Sequence, residues 1–217
     1  MLIGKVEIQP NVVIDATSGP IIIDDNVTIK SNTHLEGPLY VGNGSTISPL
    51  SYVKNSVIGP MCKIGGELNS VIIEGYTNKV HYGFLGNSYI GEWVNFGAGT
   101  TNSNLKNNYG KVRVQMNDEV FETNRIHLGC FIGDYVKTSI GTKINTGSVY
   151  GPGSMIFSKD FPSKNIPILT WYTDSGMSKV GIDKFILNCN RMKKRRGVDF
   201  DIVEEQFYRN LFLKVEK

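Results

Sequence analysis

Residues 23–53 read IDDNVTIKSNTHLEGPLYVGNGSTISPLSYV, and Ile23, Ile29, Leu35, Val41, Ile47 and Val53 stand six apart along them. Neither an α-helix, which repeats every 3.6 residues, nor a β-strand, which repeats every 2, has that period. A six-residue repeat fits a parallel β-helix in which each unit is a short strand and a turn, three units closing one triangular coil. The periodic aliphatic points inward. Glycine, asparagine and serine take the corners, where backbone of positive φ is needed.

The period extends well beyond this stretch. Ile58 and Ile64 follow one residue early, Ile90 and Phe96 come later, and the series resumes at Ile132, Thr138, Ile144, Tyr150 and Ile156. A glycine often follows the periodic residue, as in VGNGST, IGPMCK, IGEWVN and IGDYVK. Residues 1–160 are therefore expected to form about eight coils, with the register broken near residues 66–84 and 105–128. The second break, LKNNYGKVRVQMNDEVFETNRIH, reads as an extruded loop or hairpin, and long excursions from a rigid scaffold commonly carry function.

After Pro167 the composition changes. NIPILTWYTDSGMSKV reads as an extended cover over the last coils. Ile182, Phe185, Ile186, Cys189 and Met192 have helical spacing, the helix ends in the basic run Lys193–Arg196, and it stops at Gly197. Asp199 is placed to cap a second short helix. Residues 161–217 thus form a cover segment with C-terminal helices. The basic run reads as a solvated helix end matched to the dipole, or as a contact to the phosphates of a nucleotide-bearing ligand.

Composition limits the function classes. The 217 residues are 40% hydrophobic and 20% charged, ordinary for a globular chain, and a net charge of +3 is too mild to imply nucleic acid. No stretch is apolar enough to span a bilayer. Cys62, Cys130 and Cys189 are an odd number at wide spacings, as in a cytoplasmic protein with reduced thiols, and they write neither a disulfide framework nor a CxxC metal site. His34, His81 and His127 lie far apart, so a three-histidine zinc site is not expected. His34 and His127 sit in strand-like runs and read as structural. His81, beside the first register break, reads as structural or as a site residue.

The stretch HYGFLGNSYIGEWVNFGAGTTNSN, from His81 on, resembles the active-site region of the acetyltransferase domain of bifunctional N-acetylglucosamine-1-phosphate uridyltransferase/glucosamine-1-phosphate acetyltransferases. It shares a histidine, a leucine-glycine pair, a hexapeptide, an N-x-G-A-G-T run and a further asparagine at matching spacings. GFLG, SNLKNNYG and the late RRG also resemble bacterial and archaeal sugar-phosphate nucleotidyltransferase-like proteins. The likeness covers about residues 35–200.

The resemblance implies a left-handed all-β solenoid and an acetyl-CoA-dependent N-acetyltransferase of nucleotide-sugar biosynthesis, acting on a glucosamine-1-phosphate-like or galactosamine-1-phosphate-like acceptor without a metal. It implies His81 as catalytic base, Glu67 as the carboxylate orienting it, Asn95 at the sugar and Asn104 near the transfer point. It also implies a homotrimer with sites between subunits. Lys106 or Lys111 matches a lysine that reaches acetyl-CoA, and the amides around Gly97, Ala98 and Gly99 are candidate oxyanion donors beside the Asn104 amide.

The chain departs from the pattern at three positions. Phe84 replaces a tyrosine near the sugar phosphate, with Tyr82 two residues away; Asn69 replaces a lysine and Ser51 an arginine. Lys54 or Lys79 is then expected to supply the missing charge. No glycine-rich nucleotidyltransferase strand–loop precedes the repeats, so the chain is expected to be a stand-alone acyltransferase or a C-terminal portion working with a nucleotidyltransferase domain or separate protein. The alternative to an enzyme is a non-catalytic trimerisation or regulatory module, or an acyltransferase with another acceptor.

Overall fold

The computed structural model describes residues 1–116 and 119–215, so Asn117 and Asp118 of the expected loop and Glu216 and Lys217 of the C-terminal segment lie outside the described residues. The hexapeptide period resolves into a parallel β-solenoid of about nine turns, followed by two short helices. Each turn lays short strands on three faces. On the first face Ile3, Ile23, Val41, Ile58, Ile73, Ile90, Ile132, Tyr150 and Ile166 stack in register, one per turn. Ile8, Ile29, Ile47, Ile64 and Lys79 form the column of the second face, and Ile14, Leu35, Val53, Leu68 and Leu85 that of the third.

From Ile21 to Ile166 the aliphatic members of these columns form one continuous buried core. Burying each such side chain contributes about 1.5–3 kcal/mol. Since a single turn can bury its aliphatics only against its neighbours, the stability belongs to the stack.

Four sequence expectations change. The break expected near residues 66–84 is shorter than that window: the inward residues run Ile58, Ile64, Leu68 and Ile73, a turn of fifteen residues, and Ile73, Lys79 and Leu85 then resume the six-residue spacing on consecutive faces. The coil also continues beyond residue 160, through strands Asn165–Ile166 and Thr170–Thr173, onto which Gly176–Lys179 folds back antiparallel. The nine rungs on the first face exceed the eight expected for the same reason.

The corners are the third change. Glycine and asparagine do occupy many of them, but one corner carries Tyr76, Trp93 and Tyr135 at φ of 51°, 58° and 62°. Left-handed backbone costs an L-residue about 1–2 kcal/mol. Here Tyr76 stacks on Trp93 at 4.3 Å, and Trp93 lies parallel to Tyr135 at 6.4 Å. Helices α1 (Ile182–Lys194) and α2 (Ile202–Val215) close over this column, with Phe185, Phe200 and Tyr208 edge-on to Tyr135. Trp93 is only 4% exposed under the chain's own helices.

The fourth change is the helix cap: Asp201, not Asp199, accepts the amide of Glu204 at 2.8 Å and begins α2. Lys193 donates to Glu204, Tyr135 donates to the same carboxylate, and Lys193 lies 5.4 Å from the Trp93 ring, so part of the basic run is a buried tie between solenoid and helices.

The expected excursion at residues 105–128 is an extruded hairpin. Arg113–Met116 pairs antiparallel with Glu119–Glu122, Leu105 bridges His127 at the base, and Val112 and Val114 are buried.

Candidate active site

The site is built on one turn. Strand Asn78–Lys79 ends the second face, residues 80–83 make the corner, and strand Phe84–Gly86 begins the third. Gly83 has φ of 125°, and a Cβ there would meet the Thr100 carbonyl oxygen at 2.2 Å, so only glycine fits. Lys79 occupies an inward core position. Its Nζ donates to the carbonyl oxygens of Gly65 at 3.1 Å, His81 at 3.3 Å and Gly83 at 2.7 Å. Burial pushes the amine down to about 8. Lys79 is therefore no substrate cation; it fastens the corner from inside.

That corner presents His81 to solvent. Its ring makes no hydrogen bond or ion pair with the described residues, whereas its carbonyl is held by Lys79. His81 lines a cleft of about 370 Å³ between the second face and the end of α1, with Asn95, Gly97, Ala98, Lys63, Arg195 and Arg196 among the walls. Outward side chains Lys63, Asn78, Asn95 and Lys137 stack in that order up the face. Asn78 donates to Asn95 Oδ1 at 3.3 Å and accepts from Arg196 Nη2 at 2.7 Å.

The backbone past Asn95 divides the expected oxyanion donors. The Gly97 amide is committed to the Thr138 carbonyl at 3.2 Å and hydroxyl at 3.1 Å, so it is not free. Ala98 and Gly99 donate to no described group. Gly99, at φ of 72°, lies under the exposed Tyr82, whose hydroxyl would stand 2.9 Å from an added Cβ.

The remaining expected residues lie elsewhere. Glu67 points outward on the third face, in register between Tyr52 and Phe84. No hydrogen bond or ion pair joins it to His81, because His81 stands on the corner before that face. The expected base–orienter pair is not formed. Lys54 is on the same face, 5.3 Å from the Tyr52 ring, and Phe84 folds over Gly86. Asn104 gives its amide to Asn87 Oδ1 at 2.6 Å, also outside the cleft. In the hairpin, Lys106 donates to the Lys111 carbonyl and Lys111 to Asn124 Oδ1 at 2.8 Å.

Sequence reasoning missed Lys63 and Asn78 as cleft residues, and read Arg195 and Arg196 as a solvated helix end or a phosphate contact without placing them beside His81. The signal for the arginines was the basic run before Gly197. For Asn78 it was its place directly before an inward column residue, a position that faces outward. Among the described residues no group of three or more His, Cys, Asp or Glu side chains is placed to hold a metal.

Fold and cleft define a class: a hexapeptide-repeat β-solenoid whose surface cleft combines one histidine, a ladder of amides and a basic helix end. Within that class the chain is homologous to bifunctional nucleotidyltransferase/acetyltransferases. It is 38% identical over 144 residues to the bifunctional sugar-1-phosphate nucleotidylyltransferase/acetyltransferase of Sulfurisphaera tokodaii, covering 64% of this chain and 35% of that protein. It is 33% identical over 151 residues to the bifunctional protein GlmU of Thermodesulfovibrio yellowstonii, covering 68% of this chain and 30% of that one. The chain thus spans about a third of the length of these curated relatives. No family model matches it. The crystal structure of the polySia-specific acetyltransferase NeuO aligns with a TM-score of 0.41 at 15% identity, over 89% of this chain and 97% of that one.

Proposed function

We propose that this chain is an acetyl-CoA-dependent N-acetyltransferase whose acceptor is an amino-sugar phosphate, with His81 as general base. The observation that carries the reading is the cleft itself. An exposed imidazole without a partner among the described residues, the Asn95 amide and the Ala98 backbone line one cavity with three cations, in a chain homologous to proteins named acetyltransferases.

The chemistry follows from these groups. An amino sugar's nitrogen is largely protonated near neutrality, and only the neutral amine attacks a thioester. An imidazole exchanges protons in that range and takes the proton as the nitrogen bonds the acetyl carbon. The C–S bond then breaks, CoA leaves as thiolate, and the proton on His81 passes to it. The amides of Ala98 and Gly99 are the donors available to the oxyanion, each worth about 3–4 kcal/mol of transition-state stabilisation. Asn95 orients the sugar, and the hairpin lysines Lys106 and Lys111 contribute to acetyl-CoA binding. Glu67, Phe84 and Lys54 lie on the third face and Asn104 just past its strand Thr101–Asn102, and a neighbouring subunit of a homotrimer would bring them to a second wall of the site.

A second reading, a non-catalytic oligomerisation module, is favoured by Asn69 and Phe84 at two resemblance positions and by the unjoined Glu67 and His81. Release of free CoA thiol from acetyl-CoA with a panel of amino-sugar phosphates separates the two. Turnover with a phosphorylated hexosamine supports the enzyme; silence across the panel supports the module.

A further inference from the structure

The cleft holds more positive charge than proton transfer needs, and no carboxylate of the described residues lines it. Three features point to what the charge is for. First, the positions where the resemblance expects phosphate-holding cations are Ser51 and Asn69; Ser51 is buried, and neither lines the cleft. Second, the two arginines at the end of α1 are used differently. Arg196 is spent on the wall, with Nη2 2.7 Å from Asn78 Oδ1 and Nη1 3.4 Å from the Met61 carbonyl. Arg195 lines the same cleft, is exposed, and its guanidinium makes no hydrogen bond or ion pair with the described residues. Third, Lys63 lines the cleft from the solenoid side, is exposed, and its ammonium makes no hydrogen bond or ion pair with the described residues.

A helix C-terminus alone disfavours an anion, because its partial charge is negative. Here the last carbonyls are capped by the turn through Gly197, where the Val198 amide donates to Lys193 O at 3.1 Å. The arginines stand between that pole and the cleft. A guanidinium presents a planar fork that matches a phosphoryl group with two parallel hydrogen bonds. Lys63, on the opposite side, adds a point charge from the solenoid.

We infer that Arg195 of the C-terminal helix, facing Lys63, is the phosphoryl anchor of the cleft and takes over the role left vacant at Ser51 and Asn69. This rests on the acetyl-transfer role proposed for the cleft. A phosphoryl group reaches it from one of two sources, the sugar phosphate or the phosphates of CoA. Arg196 positions the helix end, so that the anchor and His81 share one cavity.

The test is calorimetric titration of the full chain with glucosamine 1-phosphate, glucosamine and CoA, for wild type, Arg195→Ala and Arg195→Lys. Losing a charge-assisted bidentate contact weakens binding by about tenfold or more. If the acceptor is the source, Arg195→Ala weakens glucosamine 1-phosphate by that factor, leaves CoA unchanged, and reduces the advantage of the phosphate over plain glucosamine. If CoA is the source, the pattern is reversed. Lysine restores part of the loss in either case, because it keeps the charge without the fork. The inference is overturned if Arg195→Ala binds both phosphorylated ligands as wild type does, or if wild type binds neither. Since binding needs no turnover, a wild type that releases no thiol yet binds through Arg195 would remove the acetyltransferase reading and leave the anchor standing.

Discussion

Lys79 Nζ lies 2.7 Å from the carbonyl oxygen of Gly83, inside the solenoid and directly beneath the turn that carries His81. A lysine in a column of isoleucines thus fixes the one corner from which a histidine reaches the cleft. The arrangement trades core hydrophobicity for satisfied carbonyls, and the trade can be measured.

Lys79→Met fills the same space but leaves the carbonyls of Gly65, His81 and Gly83 without their donor. The variant should lose about 1–3 kcal/mol for each group left unsatisfied, less what water recovers. Its pH dependence has a definite sign. Burial holds the folded amine near 8, below its unfolded value of 10.5, so the unfolded chain binds more protons between those values. Wild type should therefore gain stability relative to Lys79→Met as pH rises from 8 towards 10.5, by at most about 1.4 kcal/mol per pH unit. Denaturant melts at pH 7, 8.5 and 10 check this; parallel curves would show that Lys79 does not titrate as a buried amine.

Glu204 accepts from both Lys193 and Tyr135 and so ties α1 and α2 to the aromatic column. Removing one partner of a buried charge pair strands the other. Glu204→Ala should lower the melting temperature by on the order of 10 °C and make residues 180–215 sensitive to protease, while the solenoid core stays protected. Uniform protection in limited proteolysis would contradict the docking role.

The outward column of the first face runs Ile22, Tyr40, Val57, Ile72 and Tyr89 on successive rungs, and all but the half-buried Tyr40 are exposed. We expect this apolar strip to be covered in a homotrimer. Light scattering at micromolar concentration should give three times the chain mass for wild type, and Val57→Lys with Ile72→Glu should lower it. A wild-type mass of one chain would remove the trimer.

Alanine at both Lys106 and Lys111 should raise the KM for acetyl-CoA several-fold with little change in kcat, as expected for contacts that serve binding. Steady-state kinetics check it; an unchanged KM would make the hairpin lysines purely structural, consistent with their bonds to Lys111 O and Asn124.

Much of this was legible in the sequence. Ile23, Ile29, Leu35, Val41, Ile47 and Val53 announce the solenoid because each inward position tolerates only what packs on its neighbours above and below. Lys79 was misread because a lysine suggests solvent, although Ile73, Lys79 and Leu85 keep the spacing. The column Tyr76, Trp93 and Tyr135 was hidden because bulky residues are poor choices for positive φ; packing under α1 and α2 overrides the local preference. The cleft was half legible. His81, Asn95, Gly97 and Ala98 were read from one stretch, whereas Arg195 and Arg196 arrive from more than a hundred residues away. No local pattern states that contact. Glu67 and Asn104 were placed by likeness of spacing, and neither lines the cleft of its own chain.

The central claim is that His81 is the base in this cleft, and it is tested most directly by the turnover of His81→Ala. The ring has no partner among the described residues to lose, so the fold and the oligomer should be unchanged. CoA thiol release should fall by about 10²–10⁴, and the residual rate should climb with pH as hydroxide replaces the base. Wild-type acetyl transfer by a folded His81→Ala protein would contradict the claim.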